Sequence, residues 1–270
     1  MPELPEVEVC RLGILPHVIN QAVTEVIIRN GRLRWPIPDE IKTIIGQKVA
    51  SVKRRSKYLL LEFSTGTVVI HLGMSGTIRV VNHDVAVKKH DHFDLVFTAG
   101  KVLRLNDPRR FGAVLWFADH IDQQGLLSKL GPEPLSDEFS AGYLVSKAKN
   151  RKVAIKTFLM NNHIVVGVGN IYANEALFQA KIHPETPAGS ISTKKFDELT
   201  LIIKNVLAKA IKQGGTTLKD FTQADGKPGY FAQELMVYGR AGKSCVMCTT
   251  PLEEIRQAGR SSVFCPHCQQ

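Results

Sequence analysis

The first twenty positions place Leu4, Val7, Ile14, Leu15 and Val18, with Arg11 among them, at intervals that predict one helix. Pro5 suits its first turn, where a missing N–H costs nothing. Glu6 and Glu8 favour the positive end of the helix dipole. Then the period shortens. "AVTEVIIRN", "VASVKRRSKYLLLEF", "TVVIHLGMSGTIRVV", "HFDLVFTAG", "KVLRLN" and "FGAVLWF" read as strands divided by turn signals such as "STG" and "TAGK". Short strands with tight turns predict a sandwich or barrel. "LGPEPLSDEF" ends this half, with Ser136 placed to cap a helix whose first turn holds Asp137 and Glu138. Helical spacing returns at about 137–149, 151–160, 170–180 and 192–213, the last helix leaving through Gly214-Gly215. Residues 216–232, rich in Gly, Pro, Asp and Thr, read as a long loop. A small cysteine-rich unit closes the chain.

Length and charge narrow the partner. The 270 residues suit about two domains, and 44% hydrophobic residues suffice for real cores. Lys and Arg number 35 against 25 Asp and Glu, a net charge of +10 that favours a polyanion, either nucleic acid or an acidic membrane surface. No segment approaches the roughly 18 apolar residues of a membrane span. No basic-then-apolar leader is present, so a reducing cytoplasm is expected, with cysteines as metal ligands rather than disulfides.

Four of the five cysteines stand in the last 26 residues, as Cys245-x2-Cys248 and Cys265-x2-Cys268 with 16 residues between the pairs. That spacing predicts a zinc ribbon, each knuckle offering two thiolates to one tetrahedron. "LEEIR-QAG-RSSVF" between them reads as a hairpin with Gly259 at its turn, and His267 as a surface residue. So small a unit has almost no core and needs its metal to fold. Cys10 reads as a small residue on a half-buried helix face.

Other stretches carry chemistry less specifically. Read as one strand, "VKRRSKYLLLEF" puts Lys53, Arg55 and Lys57 on one face and Arg54, Ser56 and Tyr58 on the other. The three cations either track phosphates, or depress one another's pKa so that a lysine can move protons, or form a solvated surface. "HLGMSG" presents Met74, and "NDPRRFGA" presents Arg109, Arg110 and Phe111. Such tips either wedge into an unstacked duplex or fold back onto their own core. "VVGVGNIYANEAL" sets Gly167, Gly169 and Asn170 ahead of a helix, which is an anion site or a plain helix junction. His90 and His92 in "KKHDH" read as surface histidines. The opening "MPELPEVE" reads first as a helix start.

Taken together, "MPELPEVE", "RRSKYLLLE", "HLGMSG", "KHDH", "NDPRRFG", "LGPEPL", "VVGVGNIYANEAL", "GGTTLKDF", "GKPGYFAQEL", "VYGR" and "CVMC…GRSSVFCPHCQ" resemble the bacterial formamidopyrimidine-DNA glycosylases over essentially the whole chain. The resemblance implies an α+β multidomain fold. Its parts are a β-sandwich with a leading helix (1–131), a helix–two-turn–helix domain with a lesion-capping loop (132–232) and a zinc-finger hairpin (233–270), with a DNA-binding cleft. It also implies that Met1 is removed and that the secondary amine of Pro2 attacks C1′ of the damaged nucleotide. Glu3 is then the adjacent proton donor, although a helix N-terminus lowers a carboxyl's pKa and burial or substrate must oppose this. Lys57 is the implied proton donor for β-elimination and Arg260 serves δ-elimination. An arginine holds its proton at neutral pH, so Arg260 reads as a leaving-group stabiliser as much as an acid. His90, Arg109 and Arg151 are implied DNA contacts, Lys156 and Asn170 phosphate grips, and Met74, Arg109 and Phe111 the filling of the vacated base position. One structural Zn2+ sits on Cys245, Cys248, Cys265 and Cys268. The expected partner is double-stranded DNA with oxidised bases or abasic sites, the expected state a monomer, and no membrane is involved.

Three departures stand out. Cys10-Arg11-Leu12 replaces Thr and two arginines and loses one cation, Arg151 stands where lysine is common, and Ser262 where threonine is common. Two other activities compete. An endonuclease VIII-type enzyme for oxidised pyrimidines usually opens with Gly at position 4, where this chain has Leu. A non-catalytic damage binder would lack Pro2, Glu3 or Lys57, and all three are present.

Overall fold

The computed structural model describes residues 2–118, 125–216 and 234–270. They form two compact units, Met1–Ser128 with Gln213–Ala232 and Lys129–Lys212 with Gln233–Gln270. Among the described residues no helix is long and apolar enough to cross a membrane.

The first unit begins with helix α1 (Leu4–Val18). Its strands are β1 (Val23–Ile28), β2 (Ser51–Arg55), β3 (Tyr58–Phe63), β4 (Gly66–His71), β5 (Thr77–Asn82), β6 (Asp91–Phe97), β7 (Lys101–Asn106) and β8 (Ala113–Phe117). They make two four-stranded antiparallel sheets, in the orders β1-β6-β7-β5 and β2-β3-β4-β8. Leu59, Leu61, Val68 and Ile70 of one sheet share a core with Phe93, Leu95, Leu103 and Leu105 of the other. Val7, Cys10 and Ile14 of α1 join it. This is the expected sandwich with its leading helix. Two of its buried acids are ion-paired, as burial favours: Asp94 takes Arg104 at 2.9 Å and Arg29 at 2.6 Å, and Asp91 takes Arg79 at 2.7 Å.

"VKRRSKYLLLEF" is two strands, not one. Arg55 pairs with Tyr58 across a two-residue turn, in which Ser56 adopts a φ of 56°. Lys57 therefore stands at a hairpin tip and shares no strand face with Lys53, which is bound to Glu62 at 2.7 Å.

Two crossovers decide where the glycine-rich turns lie. The chain leaves β4 for β5 through residues 72–76 and leaves β7 for β8 through residues 107–112, each time changing sheet. His71 pairs with Ala113, and Thr77 pairs with Asn106. Both feet of one loop are thus hydrogen-bonded neighbours of both feet of the other.

In the second unit the helices are α2 (Ala141–Ala148), α3 (Ile155–Leu159), α4 (Asn170–Gln179) and α5 (Thr193–Lys212). The hairpin is β9 (Glu253–Gln257) and β10 (Arg260–Phe264). Ser140, not Ser136, caps α2, accepting from the Tyr143 N–H at 3.2 Å. Ser136 instead closes a turn on the Glu133 carbonyl. Residues 151–154 stay out of the helix because Gly189 and Ala188 take the carbonyls of Arg151 and Val153. The ribbon borrows a core: Val237, Leu252 and Val263 pack with Phe178 of α4. Of the loop expected at 216–232, Thr216 alone is described; the rest lies outside the described residues.

Gly73 tests the crossover packing. Its φ is +63°, and a Cβ there would stand 2.4 Å from the carbonyl carbon of Phe111. Gly100 has a φ of +71° with open space around it. In urea unfolding, Gly100→Ala should cost about 1 kcal/mol from backbone strain alone. Gly73→Ala should cost about 3 kcal/mol or more, because backbone must also move. Equal costs would contradict the close approach of the two loops.

Candidate active site and metal centre

The N-terminal turn is held from inside. Pro2 and Glu3 are buried, Glu3 at 2% exposure. The Glu6 carboxylate, also 2% exposed, accepts the Glu3 N–H at 2.8 Å and the Thr216 N–H at 2.9 Å. A Cβ at Gly215, whose φ is +76°, would come within 3.2 Å of the same carboxylate. Glu6 thus does more than favour the helix dipole: it joins the chain's first turn to the exit of α5.

Glu8 holds Lys57 at one remove. Its carboxylate accepts from Arg54 Nε at 2.9 Å, and Arg54 Nη1 donates to the Ser56 carbonyl at 2.9 Å, fixing the turn that carries Lys57. Burial opposes the charge on Glu8, but the hydrogen bonds and fields of Arg11 and Arg54 outweigh it and hold the carboxyl below its ordinary range. Cys10 is 1% exposed, and burial pushes its thiol up to about 12, leaving it inert.

At the crossovers the structure brings Met74, Arg109 and Phe111 together. Met74 and Phe111 are 38% and 48% exposed, and the Arg109 guanidinium lies 5.0 Å from the centre of the Phe111 ring. These side chains point outward rather than onto their own core. His92 is not a surface residue: it is buried and donates Nε2–H to the Asp107 carbonyl at 3.0 Å. His90 is half-buried at a φ of 76°. His71 packs on Tyr58 and accepts the Gly73 N–H at Nδ1, 3.0 Å away. Burial first, then the fields of Lys57 and Arg34, depress its pKa to about 4, so its ring is neutral with the proton on Nε2.

In the second unit Asn170 opens α4 behind Gly169, and its Oδ1 is buried without a hydrogen-bond partner among the described residues. Arg151, Lys156 and Arg260 line one cavity of about 330 Å3 between α3 and the hairpin tip. Arg151 and Arg260 are exposed, whereas Lys156 is 1% exposed. Its ammonium donates to the Ser261 carbonyl at 2.6 Å and to Ser262 Oγ at 2.7 Å. An ammonium so placed braces the hairpin that displays Arg260; it is not presented to solvent like the other two cations. The hairpin turns through Ala258 and Gly259 with φ of 48° and 76°, both in the left-handed region.

The four cysteine sulfurs all lie within 4.8 Å of one another. Cys245 and Cys268 are 4.0 Å apart and Cys248 and Cys265 3.4 Å. A tetrahedral site with Zn–S bonds near 2.3 Å has edges of about 3.8 Å. Backbone N–H groups of Met247 and Cys268 point at Cys245 and Cys265 sulfurs, each at 3.4 Å, which suits thiolates. The donor set fits one structural zinc. His267 is exposed beside it and is not needed as a ligand.

A β-sandwich opening on a buried proline turn, a helical unit and a four-cysteine ribbon define a class, the zinc-finger DNA glycosylases. Three family descriptions match in order: the formamidopyrimidine-DNA glycosylase N-terminal domain at residues 1–114, the H2TH domain of the same enzymes at 130–222, and a zinc finger found in FPG and IleRS at 242–270. The formamidopyrimidine-DNA glycosylase of Colwellia psychrerythraea is 73% identical across the full length of both chains. Among solved structures, a Lactococcus lactis FPG variant in complex with Fapy-dG-containing DNA superposes with a TM-score of 0.93 at 32% identity, covering 100% of both chains. The MutM (FPG) protein of Thermus thermophilus gives 0.89 at 36% identity, covering 99% of this chain and 98% of that one. The chain belongs to the formamidopyrimidine-DNA glycosylase family.

Sequence reasoning missed the positioning residues. Glu6 and Glu8 read only as dipole partners, and Arg54 drew no reading beyond its place in the strand "VKRRSKYLLLEF". Glu175 gave no signal, yet it is 1% exposed in α4 and accepts the N–H groups of Met236, Val237 and Tyr238 at 2.9, 3.0 and 2.9 Å. The acidic side chains carry no mark of their partners in sequence, which lie up to 210 residues away.

Two predictions follow from this geometry. Cys248→Ser should release zinc, seen by metal analysis, and lose the hairpin's protection in hydrogen exchange; a zinc-free variant with an intact hairpin would contradict a structural metal. His71 is harder to protonate folded than unfolded. Above its unfolded pKa of about 6.5 it contributes nothing to pH dependence, and as pH falls towards 4 the unfolded state alone gains the proton. The wild type should therefore lose about 3 kcal/mol more than His71→Gln between pH 7 and 4 in urea unfolding. Equal losses would contradict the buried neutral ring.

Proposed function

We propose that this base-excision-repair glycosylase removes oxidised purines, 8-oxoguanine and formamidopyrimidines, from double-stranded DNA and then cleaves both flanking phosphates. The observation that carries the reading is the buried hold on the Pro2–Glu3 turn. Once Met1 is removed, Pro2 offers a secondary amine. An α-amino group titrates near about 8, and the positive end of α1 disfavours its cation further, so a useful fraction is nucleophilic at pH 7. Attack at C1′ expels the base, and the resulting cationic iminium acidifies the sugar for β- and then δ-elimination. Glu3 donates and accepts protons beside the amine, Lys57 serves β-elimination, and Arg260 steadies the leaving phosphate.

Recognition needs the lesion outside the stack, which costs a few kcal/mol. Met74 and Phe111 fill the gap, and Arg109 offers its donors to the pairing edge of the opposite cytosine. His90, Arg151 and Asn170 hold phosphates, and Lys156 acts from within by bracing the hairpin. Arg34 joins them in this reading. It stands 4.6 Å over the Trp35 ring on a loop whose Arg34 N–H is bound to the Gly112 carbonyl at 3.0 Å. The work is done at the nucleoid of the bacterial cytoplasm.

A lesion panel tests the assignment. Excision of 8-oxoguanine opposite cytosine should exceed that opposite adenine and exceed excision of thymine glycol. Arg109→Ala should erode the cytosine preference more than it slows cleavage at a ready-made abasic site. Faster removal of thymine glycol would assign the chain to oxidised pyrimidines instead.

A further inference from the structure

Met74, Arg109 and Phe111 sit on two different loops, so filling one gap requires those loops to keep a fixed spacing. Backbone pairing fixes their feet, at His71 with Ala113 and Thr77 with Asn106. It does not fix the tips. Between the tips lies a carboxylate, Asp107, 0% exposed, with no cation bound to it among the described residues. Oδ1 of Asp107 accepts the Ser75 hydroxyl at 2.8 Å, and Oδ2 accepts the Gly112 N–H at 2.8 Å. Ser75 Oγ in turn accepts the Arg109 N–H at 3.3 Å. Ser75 follows Met74 directly, Gly112 follows Phe111 directly, and the third bond lands on Arg109 itself. Each of the three outward side chains is therefore tied to this pair or is the immediate neighbour of a residue that is.

We propose that Asp107 and Ser75 are positioning residues that rivet the two crossover loops at the spacing needed to fill the vacated base position and read the opposite base. The inference rests on the gap-filling role given above to Met74, Arg109 and Phe111. A buried carboxylate in a sandwich core is costly unless its bonds are made. Here they are made to groups that belong to the two tips and to nothing else in the core. The rivet acts before chemistry. It matters when a stacked base must be extruded and matters little when the base is already gone.

The test compares single-turnover excision of 8-oxoguanine opposite cytosine and adenine with strand cleavage at a preformed abasic site. Ser75→Ala should slow excision about tenfold and reduce the preference for cytosine severalfold, while abasic cleavage stays within about twofold. Asp107→Asn should rescue most of what Asp107→Ala loses, because its amide oxygen can accept from Gly112 while its NH2 donates to Ser75. Should Asp107→Ala fail to fold, Ser75→Ala and Asp107→Asn carry the test, with unfolding midpoints measured alongside. Met74→Ala and Arg109→Ala serve as references. If these lose excision or preference while Ser75→Ala matches wild type, the rivet is wrong and the gap-filling role stands. If the references are silent too, the gap-filling role fails and the rivet with it. Equal losses in excision and abasic cleavage would reveal a general structural role and overturn the proposal.

Discussion

The carboxylate of Glu6 takes one N–H from Glu3, three residues before it, and another from Thr216, 210 residues after it. An N-terminus ordinarily frays, since nothing precedes it to hold it. Here a 2%-exposed acid closes the first turn of α1 against the Gly214-Gly215-Thr216 exit of α5. Each carboxyl oxygen takes one of the two N–H groups, which suits a clasp that holds this turn still. In the proposed reaction, with Met1 removed, the Pro2 amine would then be both ordered and chemically available. Covalent catalysis by a chain's own first residue depends on that combination.

The same logic recurs through the molecule. Several side chains proposed to meet DNA or its phosphates stand on turns that neighbouring polar groups fix. Glu8 and Arg54 fix the turn of Lys57. Asp107 and Ser75 fix the loops of Met74, Arg109 and Phe111. Lys156 fixes the hairpin of Arg260, and zinc fixes the hairpin's base. Rigid support matters because a catalytic group misplaced by an ångström loses orders of magnitude in rate.

Much of this was legible in sequence. Helix α1, the strands, the exit of α5 and the ribbon follow from local rules of period, turn residue and cysteine spacing, and the structure agrees. Where a local rule had two outlets, tertiary context chose. Ser136 was expected to cap a helix, but its hydroxyl is taken by the Glu133 carbonyl and Ser140 caps α2 instead. "VKRRSKYLLLEF" suits one strand or two, and Ser56 accepted the left-handed conformation that makes two. Lys156, implied by the resemblance as a phosphate grip, has its ammonium drawn inside by two oxygens of the hairpin. The pairing of the two crossover loops was invisible. It arises from two sheet crossovers at strands adjacent in space, and no spacing along the chain records that.

The most direct test of the account is the identity of the nucleophile. Borohydride added during the reaction with a damaged duplex should reduce the iminium and leave one sugar remnant attached to the enzyme. Peptide mapping of that adduct should place the sugar on Pro2, in protein whose Met1 has been removed. A remnant on Lys57, or an adduct formed while Met1 is retained, would contradict the claim that the clasped N-terminal proline performs the chemistry.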